Sequence, residues 1–344
     1  MQVVTPDVVK GKKVLLRLDL DVPIKDGKVE EDFRLRAGIP TITLIHQNAS
    51  RLILIGHLGR PSGADPNFSL KPVHEWFRKN HFNSLSFEED SSFVMLENTR
   101  FDKRENEGSQ EYAKELASQA DFYVNEAFAA HNSAVSTTLL PTLFTDVLDP
   151  EGRLRSRRAA GLHFAKEVEK LLQVRNTPKK PLLVILGGAK LEDKLGVLNL
   201  FSQTADAVLV GGKLPQEIRA GQIEVSKNVM VAKMIDNGLD ISTEATESFA
   251  ELIKNAAQII WAGPLGKYEE ENTILGTKEI AEAILQSSAD IIVGGGDTIA
   301  ALNKLNLLSK FQQNAFVSTG GGAMLRLLSE GTLPTIAALD ESIN

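Results

Sequence analysis

Residues 183–194 read LVILGGAKLEDK, and this stretch decides the type of fold. An apolar run, a glycine pair and a charged segment predict a buried strand, a tight turn and the start of a helix. If the helix starts at once, Lys190 and Lys194 lie four positions apart on one helix face. The helix N-terminus adds free N–H groups and a positive dipole end, which favours a polyphosphate site. The same sequence is also compatible with an ordinary βα turn whose lysines are exposed to solvent.

Short apolar runs alternate with longer amphipathic stretches along the whole chain, which predicts parallel sheets covered by helices. The chain has 344 residues, more than the roughly 250–300 residues at which single cores stop growing, so we expect two domains. The predicted strands are 14–20, 51–55, 93–96, 121–124, 182–186, 207–210, 259–261, 291–293 and 315–317, and the predicted helices are 111–119, 161–174, 246–255 and 277–286.

The domain junction is predicted near residues 176–181, NTPKKP, because prolines stop the preceding helix there. We expect an α/β protein of two lobes, each a mainly parallel sheet flanked by helices, with a cleft and a hinge between them. The predicted bounds are 1–160 for the first lobe, 161–177 for a connecting helix and 178–316 for the second lobe.

Composition narrows the classes of function. The net charge of −7 disfavours broad binding of nucleic acids or anionic membranes. The chain has no cysteine, which excludes disulfides, thiolate nucleophiles and cysteine-ligated metals. No apolar run reaches about 18 residues, and the N-terminus lacks a secretory pattern. We therefore expect a cytoplasmic protein that is not bound to a membrane.

Glycine turns mark the strand ends of the second half. They lie at 187–188, 211–212, 294–296 and 320–322. Glycines let the backbone approach a ligand closely, and ligands of open parallel sheets bind beyond the carboxyl ends of the strands. Several such turns therefore predict a nucleotide-sized site. The chain contains neither the P-loop pattern nor G-x-G-x-x-G, so it is not predicted to be a P-loop enzyme or a standard dinucleotide fold.

Basic residues mark the strand ends of the first half. His57 and Arg60 follow one predicted strand, Arg100 follows another, and Arg34 and Arg36 open a helix-like run. Arginine forks match carboxylate and phosphate oxygens in pairs. Any one arginine alone fits a surface salt bridge. Several at the strand ends of one domain predict an anion pocket.

Together these segments resemble the phosphoglycerate kinase family nearly from end to end. The motifs that carry the resemblance are RLDLDVP (17–23), HLGRP (57–61), LENTRF (96–101), YVNEAF (123–128), GGAK (187–190) with DK (193–194), WAGPLG (261–266), GGGDT (294–298) and STGGGA (318–323). The resemblance implies Mg²⁺-dependent phosphoryl transfer between ATP or ADP and 3-phosphoglycerate by a monomer that closes about a hinge. It also implies that a tail, 317–344, returns to the first lobe.

The resemblance also assigns roles by position. It implies that 3-phosphoglycerate is held by Asp19, Asp21, Arg34, His57, Arg60, Arg100 and His131. The nucleotide would be held by Gly188, Lys194, Gly212, Gly263, Glu269, Gly295, Gly296, Asp297 and Thr298, with Asp297 also holding the metal. Catalysis would involve Arg34, Lys190, Gly320 and Gly321. The acceptor carboxylate, with a pKa near ~3.5, is ionised at neutral pH, so no general base is needed.

The chain departs from the family at several positions. Residues 126–135 read EAFAAHNSAV where the family has DAFGTAHRAH, so Asn132 or Ser133 stands in place of a substrate-binding arginine. Asp21 and Ala262 each replace an asparagine, and Lys213 stands in an altered glycine turn, where we expect it to offset lost nucleotide contacts. These changes leave two alternatives open: a non-catalytic nucleotide-binding relative, or a kinase for another small carboxylate.

Overall fold

The computed structural model describes residues 1–88, 90–149, 151–190 and 192–340. The chain forms two compact units. The first comprises Met1–Glu169 with Thr332–Asn344, and the second comprises Lys170–Gly331.

The first unit is built on a sheet of five parallel strands. The strands are β1 (Lys13–Arg17), β2 (Arg51–Ile55), β3 (Phe93–Met95), β4 (Phe122–Asn125) and β5 (Arg158–Ala160), in the spatial order β3-β2-β1-β4-β5. Four of them coincide with predicted strands. The predicted strand 14–20 ends early, at Arg17, because the chain beyond Leu18 leaves the sheet and Asp19 binds the Ala129 N–H instead. The short β5 was not predicted.

Helices of the first unit cover this sheet. They are α1 (Pro6–Val9), α2 (Phe33–Asn48), α3 (Lys71–Asn80), α4 (Arg104–Glu107), α5 (Gln110–Ala117), α6 (Leu140–Thr142) and α7 (Leu162–Asn176). The last part of α7 belongs to the second unit. One more helix of the first unit, α15 (Pro334–Asp340), follows the second unit in the sequence. A π-helical turn, Val135–Leu139, precedes α6. Further short elements are the 3₁₀ turns Pro66–Phe68 and Thr99–Phe101 and the hairpins Ile24–Lys25 with Lys28–Val29 and Val147–Leu148 with Leu154–Arg155.

The second unit is built on a sheet of six parallel strands. They are β6 (Leu182–Leu186), β7 (Ala207–Val210), β8 (Val229–Val231), β9 (Gln258–Ala262), β10 (Asp290–Gly294) and β11 (Phe316–Val317), in the order β8-β7-β6-β9-β10-β11. All except β8 coincide with predicted strands. β6 and β9 are buried along their whole length, which explains the apolar run of β6 and that of β9 after Gln258.

The helices of the second unit follow its strands. They are α8 (Glu192–Thr204), α9 (Leu214–Ala220), α10 (Thr243–Lys254), α11 (Leu275–Gln286), α12 (Gly296–Lys304), α13 (Leu308–Asn314) and α14 (Gly321–Glu330), with a 3₁₀ turn at Glu271–Thr273. α10 begins before the predicted residue 246 because the Ser242 hydroxyl accepts from the Ala245 N–H and caps the helix.

The C-terminal segment joins the first unit later than the predicted residue 317. β11 is hydrogen-bonded to β10, and α14 packs against α8, so both elements belong to the second unit. Only the chain from Thr332 onward groups with the first unit. Residues 341–344 of the predicted tail lie outside the described residues.

No helix of the described part of the chain is both long and apolar enough to span a bilayer.

Candidate functional site

Both sheets have the strand order of doubly wound folds, with a switch point where the order reverses. In the second unit the switch lies between β6 and β9, and in the first unit it lies between β1 and β4. Ligands of such sheets bind beyond the carboxyl ends of the strands at the switch. The residues that follow these four strands are therefore the candidates for binding.

Three glycine turns meet at the switch point of the second unit. The Gly188 N–H donates to the Pro264 carbonyl at 2.8 Å, the Gly212 N–H donates to the Leu265 carbonyl at 2.8 Å, and the Lys213 N–H donates to the Gly188 carbonyl at 2.9 Å. Gly263 has φ 101°, and a Cβ there would lie 2.2 Å from the Gly187 carbonyl oxygen. The backbones thus pack at distances that only glycine permits, which leaves a floor without side chains.

A second group of glycines borders this floor at the start of α12. Gly295, at φ 111°, precedes the helix, and a Cβ on Gly321 would lie 2.5 Å from the Gly295 Cα. The Thr298 hydroxyl accepts from the Gly263 N–H at 2.7 Å and donates to the Gly294 carbonyl at 2.9 Å. Thr298 is thus buried and bonded to the backbone, and it fixes α12, a helix of nine residues, against the β9 turn. The free N–H groups of the first turn of α12 are suited to an anion.

One cleft in the second unit collects several predicted nucleotide residues. Its lining includes Gly188, Gly212, Glu269 and Asp297, which were predicted, and Leu239 and Tyr268, which were not. Lys213 also lines it, as the altered glycine turn led us to expect. Gly263, Gly295 and Thr298 border the cleft through the contacts described above. Leu239 and Tyr268 carry no motif, so only the fold brings them to the cleft.

The two lysines do not share a helix face in the way the sequence suggested. α8 begins at Glu192, so Lys190 precedes the helix and only Lys194 lies in its first turn. Gly188 adopts φ 98°, so the chain turns at the glycine pair before the helix begins. Lys190 is exposed, and within the described residues its ammonium group has no hydrogen-bond or ion-pair partner.

The residues after β1 and β4 meet at the switch point of the first unit. The Asp19 carboxylate accepts from the Ala129 N–H at 2.7 Å, and burial raises the pKa of Asp19 while Arg34 opposes that rise. Arg34 donates to the Asp21 carbonyl at 2.6 Å, and the Asp21 carboxylate accepts from the Gly59 N–H at 2.9 Å. Asp19 and Arg34 therefore fix the loops that form the pocket.

An arginine-lined pocket lies beside these loops. Five residues predicted to bind the substrate line it: Asp21, His57, Arg60, Arg100 and His131. Arg100 donates to the Gly59 carbonyl at 2.7 Å. Arg60 is exposed and makes no hydrogen bond or ion pair with the described parts of the chain. The pocket thus offers cationic groups that are positioned for an anion.

The loop 129–134 forms one wall of this pocket and contains no arginine. His131 is held by its own loop, since its Nδ1 lies 3.0 Å from the Ala129 carbonyl oxygen. Asn132 and Ser133 are exposed in the wall. The replacement noted in the sequence therefore lies in the pocket itself.

Three residues at the pocket were not predicted to be functional: Arg17, Glu105 and Ser136. Arg17 and Glu105 line the pocket, and all three residues are almost completely buried. The one available signal was the charge of Arg17 directly after the apolar run 14–16. Burial of this charge requires partners, and only the fold brings Glu105 and Ser136 to it.

Desolvation and neighbouring cations lower the pKa of His57 well below its ordinary value. The cations, in order of effect, are Arg17, Arg100, Arg34 and Arg60. His57 is therefore neutral at pH 7 despite lying 3.9 Å from the Asp21 carboxylate.

An arginine-lined pocket on one doubly wound unit and a glycine-floored cleft on a second such unit are the features of a two-domain α/β kinase. The phosphoglycerate kinase family model matches residues 5–237 and 214–331. The phosphoglycerate kinases of Akkermansia muciniphila and Clostridium perfringens are each 33% identical to the chain, with 96% and 97% of both sequences covered. The chain belongs to the phosphoglycerate kinase family.

Solved structures agree with this assignment. The phosphoglycerate kinase of Coxiella burnetii matches with a TM-score of 0.75 at 30% identity, and that of Pyrococcus horikoshii OT3 matches with a TM-score of 0.76 at 25% identity. Each match covers 96% of both chains.

Proposed function

We propose that the chain transfers a phosphoryl group reversibly between ATP and the carboxylate of 3-phosphoglycerate, which gives ADP and 1,3-bisphosphoglycerate. The observation that carries this proposal is the pairing of two different sites, each at the switch point of its own sheet. One site offers arginines to a small anion, and the other offers a glycine floor to a nucleotide.

We assign the acid to the pocket of the first unit. Arg60 and Arg100 place positive charge beside the anionic groups of the acid, and the neutral His57 supplies a hydrogen-bond donor. Asp21 and His131 line the same pocket, while Asp19 and Arg34 hold its loops and Arg34 acts as a catalytic cation. No general base is required, because the acceptor is already a carboxylate.

We assign the nucleotide to the cleft of the second unit. Gly188, Gly212 and Gly263 form its floor, Glu269 lies at its edge, and Gly295, Gly296 and Thr298 present the α12 N-terminus to the phosphates. Lys194 would contact the same phosphates, whereas Lys190 would stabilise the moving phosphoryl group. Gly320 and Gly321, at the start of α14, would add backbone N–H groups to that stabilisation.

Asp297 fits a role in holding magnesium. It is exposed in the cleft at the first turn of α12, and the described residues contain no group of three or more metal-ligating side chains. Mg²⁺ is commonly held by one or two carboxylates together with substrate phosphates. The ion would arrive with ATP and neutralise charge on the phosphates.

The barrier lies in bringing two anions together, so this chain must position them and spread charge. Since each unit binds one ligand, we propose that a hinge movement brings the ligands within reach for in-line transfer. We also propose that the chain works as a monomer in the cytoplasm. The full-length matches to kinases do not favour the two alternatives that the altered loop left open.

The test is release of ADP from Mg-ATP by the purified protein, with and without 3-phosphoglycerate, while a coupled dehydrogenase removes the product. We expect turnover that requires the acid. Variant Asp297→Asn should lose most of the rate, whereas Asp236→Asn, an acidic side chain outside the cleft lining, should keep it. ATP binding without acid-dependent turnover would contradict the proposal.

A further inference from the structure

A buried chain of polar side chains runs behind the pocket of the first unit. The two Glu105 carboxylate oxygens accept from the Ser136 hydroxyl at 2.5 Å and from the Ser136 N–H at 3.1 Å. Arg17 Nε donates to the Ser136 hydroxyl oxygen at 2.9 Å. The other end of the Arg17 guanidinium lies 2.5 Å from His57 Nδ1. Glu105, Ser136 and Arg17 are at most 1% exposed, and His57 is 8% exposed.

The chemistry of these four side chains fixes which group donates and which accepts in each hydrogen bond between them. A guanidinium only donates, so both Ser136 Oγ and His57 Nδ1 must accept from Arg17. The Ser136 hydroxyl then gives its own proton to Glu105, which fits a carboxylate that accepts on both oxygens. A neutral imidazole that accepts at Nδ1 carries its proton at Nε2.

The backbone of Ser136 is held as well. The Tyr123 hydroxyl donates to the Ser136 carbonyl at 2.8 Å, so Ser136 is fixed at its N–H, its hydroxyl and its carbonyl. This fixed hydroxyl sets the orientation of the guanidinium that in turn orients His57.

The series of hydrogen-bonded side chains ends at His57, whose Nε2 faces the pocket. The charged groups around His57 are Arg17, Arg34, Arg60, Arg100 and the Asp21 carboxylate. The distance of 3.9 Å to Asp21 is too long for a hydrogen bond. The four cations act against protonation of the ring, and the Nε2–H has no acceptor within the described residues.

We propose that Glu105 and Ser136 are positioning residues that act through Arg17 to hold His57 as its Nε2–H tautomer, so that a neutral donor faces an oxyanion of the substrate. The opposite tautomer would present a lone pair to that oxyanion and would repel it. The identity of the acid rests on the proposed function, whereas the tautomer is a property of the unliganded protein.

The first test separates the two substrates kinetically. Ser136→Ala removes the hydroxyl, and Glu105→Gln removes one of the two acceptors. Both variants should raise the KM for 3-phosphoglycerate by about tenfold, as expected when a hydrogen bond to a charged group is lost. The KM for ATP should hardly change. The matched controls are Ser118→Ala and Asp102→Asn. Both residues lie in the same unit but do not belong to the hydrogen-bonded series from Glu105 to His57, and both variants should keep wild-type kinetics.

The second test reads the tautomer directly by ¹⁵N NMR of the unliganded protein with labelled histidine, with His57 assigned from a His57→Gln sample. We expect an unprotonated Nδ1 and a protonated Nε2 in the wild type, and a mixture of tautomers in Ser136→Ala. A protonated Nδ1 in the wild type would overturn the proposal, and so would unchanged tautomer and acid KM in both variants.

The two tests also separate this inference from the proposed function. If the tautomer responds to Ser136→Ala while no phosphoryl group reaches 3-phosphoglycerate, the proposed function fails and the positioning role stands. If the wild type turns over with a protonated Nδ1, the positioning role fails and the proposed function stands. Should one of the two variants not fold, the other variant and the wild-type spectrum together decide.

Discussion

At the scale of single residues, the loop 129–134 forms a wall of the pocket to which we assign the acid, and this wall carries no arginine. Asn132 and Ser133 are exposed in the pocket wall, where the family pattern has an arginine. Asp21, whose side chain is 44% exposed, adds a negative charge to the same pocket. We therefore expect binding of a small anion here to depend mainly on Arg60 and Arg100.

Asn132→Arg should lower the KM for 3-phosphoglycerate by about ten- to a hundredfold, since a hydrogen bond to a charged group contributes roughly 1.5–3 kcal/mol. Initial rates with the acid varied and ATP saturating measure this change. Asn132→Gln changes the length of the side chain without adding charge and serves as the control. Equal KM values in the two variants would mean that this wall does not contact the acid.

Lys213 is the residue that we expect to compensate for lost nucleotide contacts. It is exposed at the cleft, and its N–H is bonded to the Gly188 carbonyl. Lys213→Ala should raise the KM for ATP about 1.4- to fivefold, because an exposed charge contact contributes roughly 0.2–1 kcal/mol. Lys227→Ala, an exposed lysine of the same unit outside the cleft lining, is the control. An unchanged KM for ATP in Lys213→Ala would refute the compensation.

At the scale of elements, α7 begins on a buried carboxylate from another element. Glu126 accepts from the Thr41 hydroxyl at 2.5 Å and from the N–H groups of His163 and Phe164 at 3.1 and 3.0 Å. Burial raises the pKa of Glu126 to about 7. The pKa of His163 is raised as well: burial lowers it, but the carboxylates of Glu167, 3.2 Å from its ring, Glu126 and Asp19 together outweigh burial.

These two groups should make stability fall as the pH rises. The folded pKa of Glu126 lies above its unfolded value of 4.5, so the folded state binds the proton more tightly and the free energy of unfolding decreases between about pH 4.5 and 7. His163 acts with the same sign, since its stabilisation is complete below pH 6.5 and is lost as the pH rises through its raised folded pKa.

Urea unfolding between pH 5 and 8 measures this slope, and Glu126→Gln should flatten it. Asp206→Asn is the control, because the pKa of Asp206 is lowered from 3.8 and its titration lies below this range. An equal slope in the wild type and in Glu126→Gln would contradict the assignment of charge at the start of α7.

The close approach of the glycine turns after β6 and β9 should not tolerate a side chain. Gly263→Ala would place a Cβ 2.2 Å from the Gly187 carbonyl oxygen at a φ of 101°, so the turns must separate. We expect a loss of about 1–3 kcal/mol in stability and weaker ATP binding. Thermal unfolding and nucleotide titration measure the two effects. Gly63→Ala, with open space around its Cα, should be neutral; equal stability of both variants would show that the close approach is not required.

The elements also show what the sequence could and could not predict. The apolar runs of β6 and β9 predict buried strands because both faces of a parallel sheet are covered. The runs of β5 and β8 are too short for such a prediction. α8 begins later than the sequence suggests. The number of residues in a glycine turn cannot be inferred from the sequence, because glycine accepts many backbone conformations. Gly295 precedes α12, and the Thr298 hydroxyl is bonded to Gly263 and Gly294, an arrangement that the glycine triplet alone does not predict.

At the scale of the whole molecule, the motifs predicted two α/β units and the residues around each site. They could not predict the chain from Glu105 to His57, since its members lie up to 119 positions apart and meet only through the order of the strands. Lys213 and the loop 129–134 were visible in the sequence as departures, but their places in the cleft and in the pocket wall required the fold.

The central claim is that the phosphoryl group of ATP reaches the carboxylate of 3-phosphoglycerate. The most direct measurement traps the acyl phosphate with hydroxylamine and identifies the hydroxamate by mass spectrometry. We predict a hydroxamate of 3-phosphoglycerate that forms only when protein, Mg-ATP and the acid are all present. Release of ADP without that hydroxamate, or its absence at saturating substrates while ATP binds, would contradict the claim.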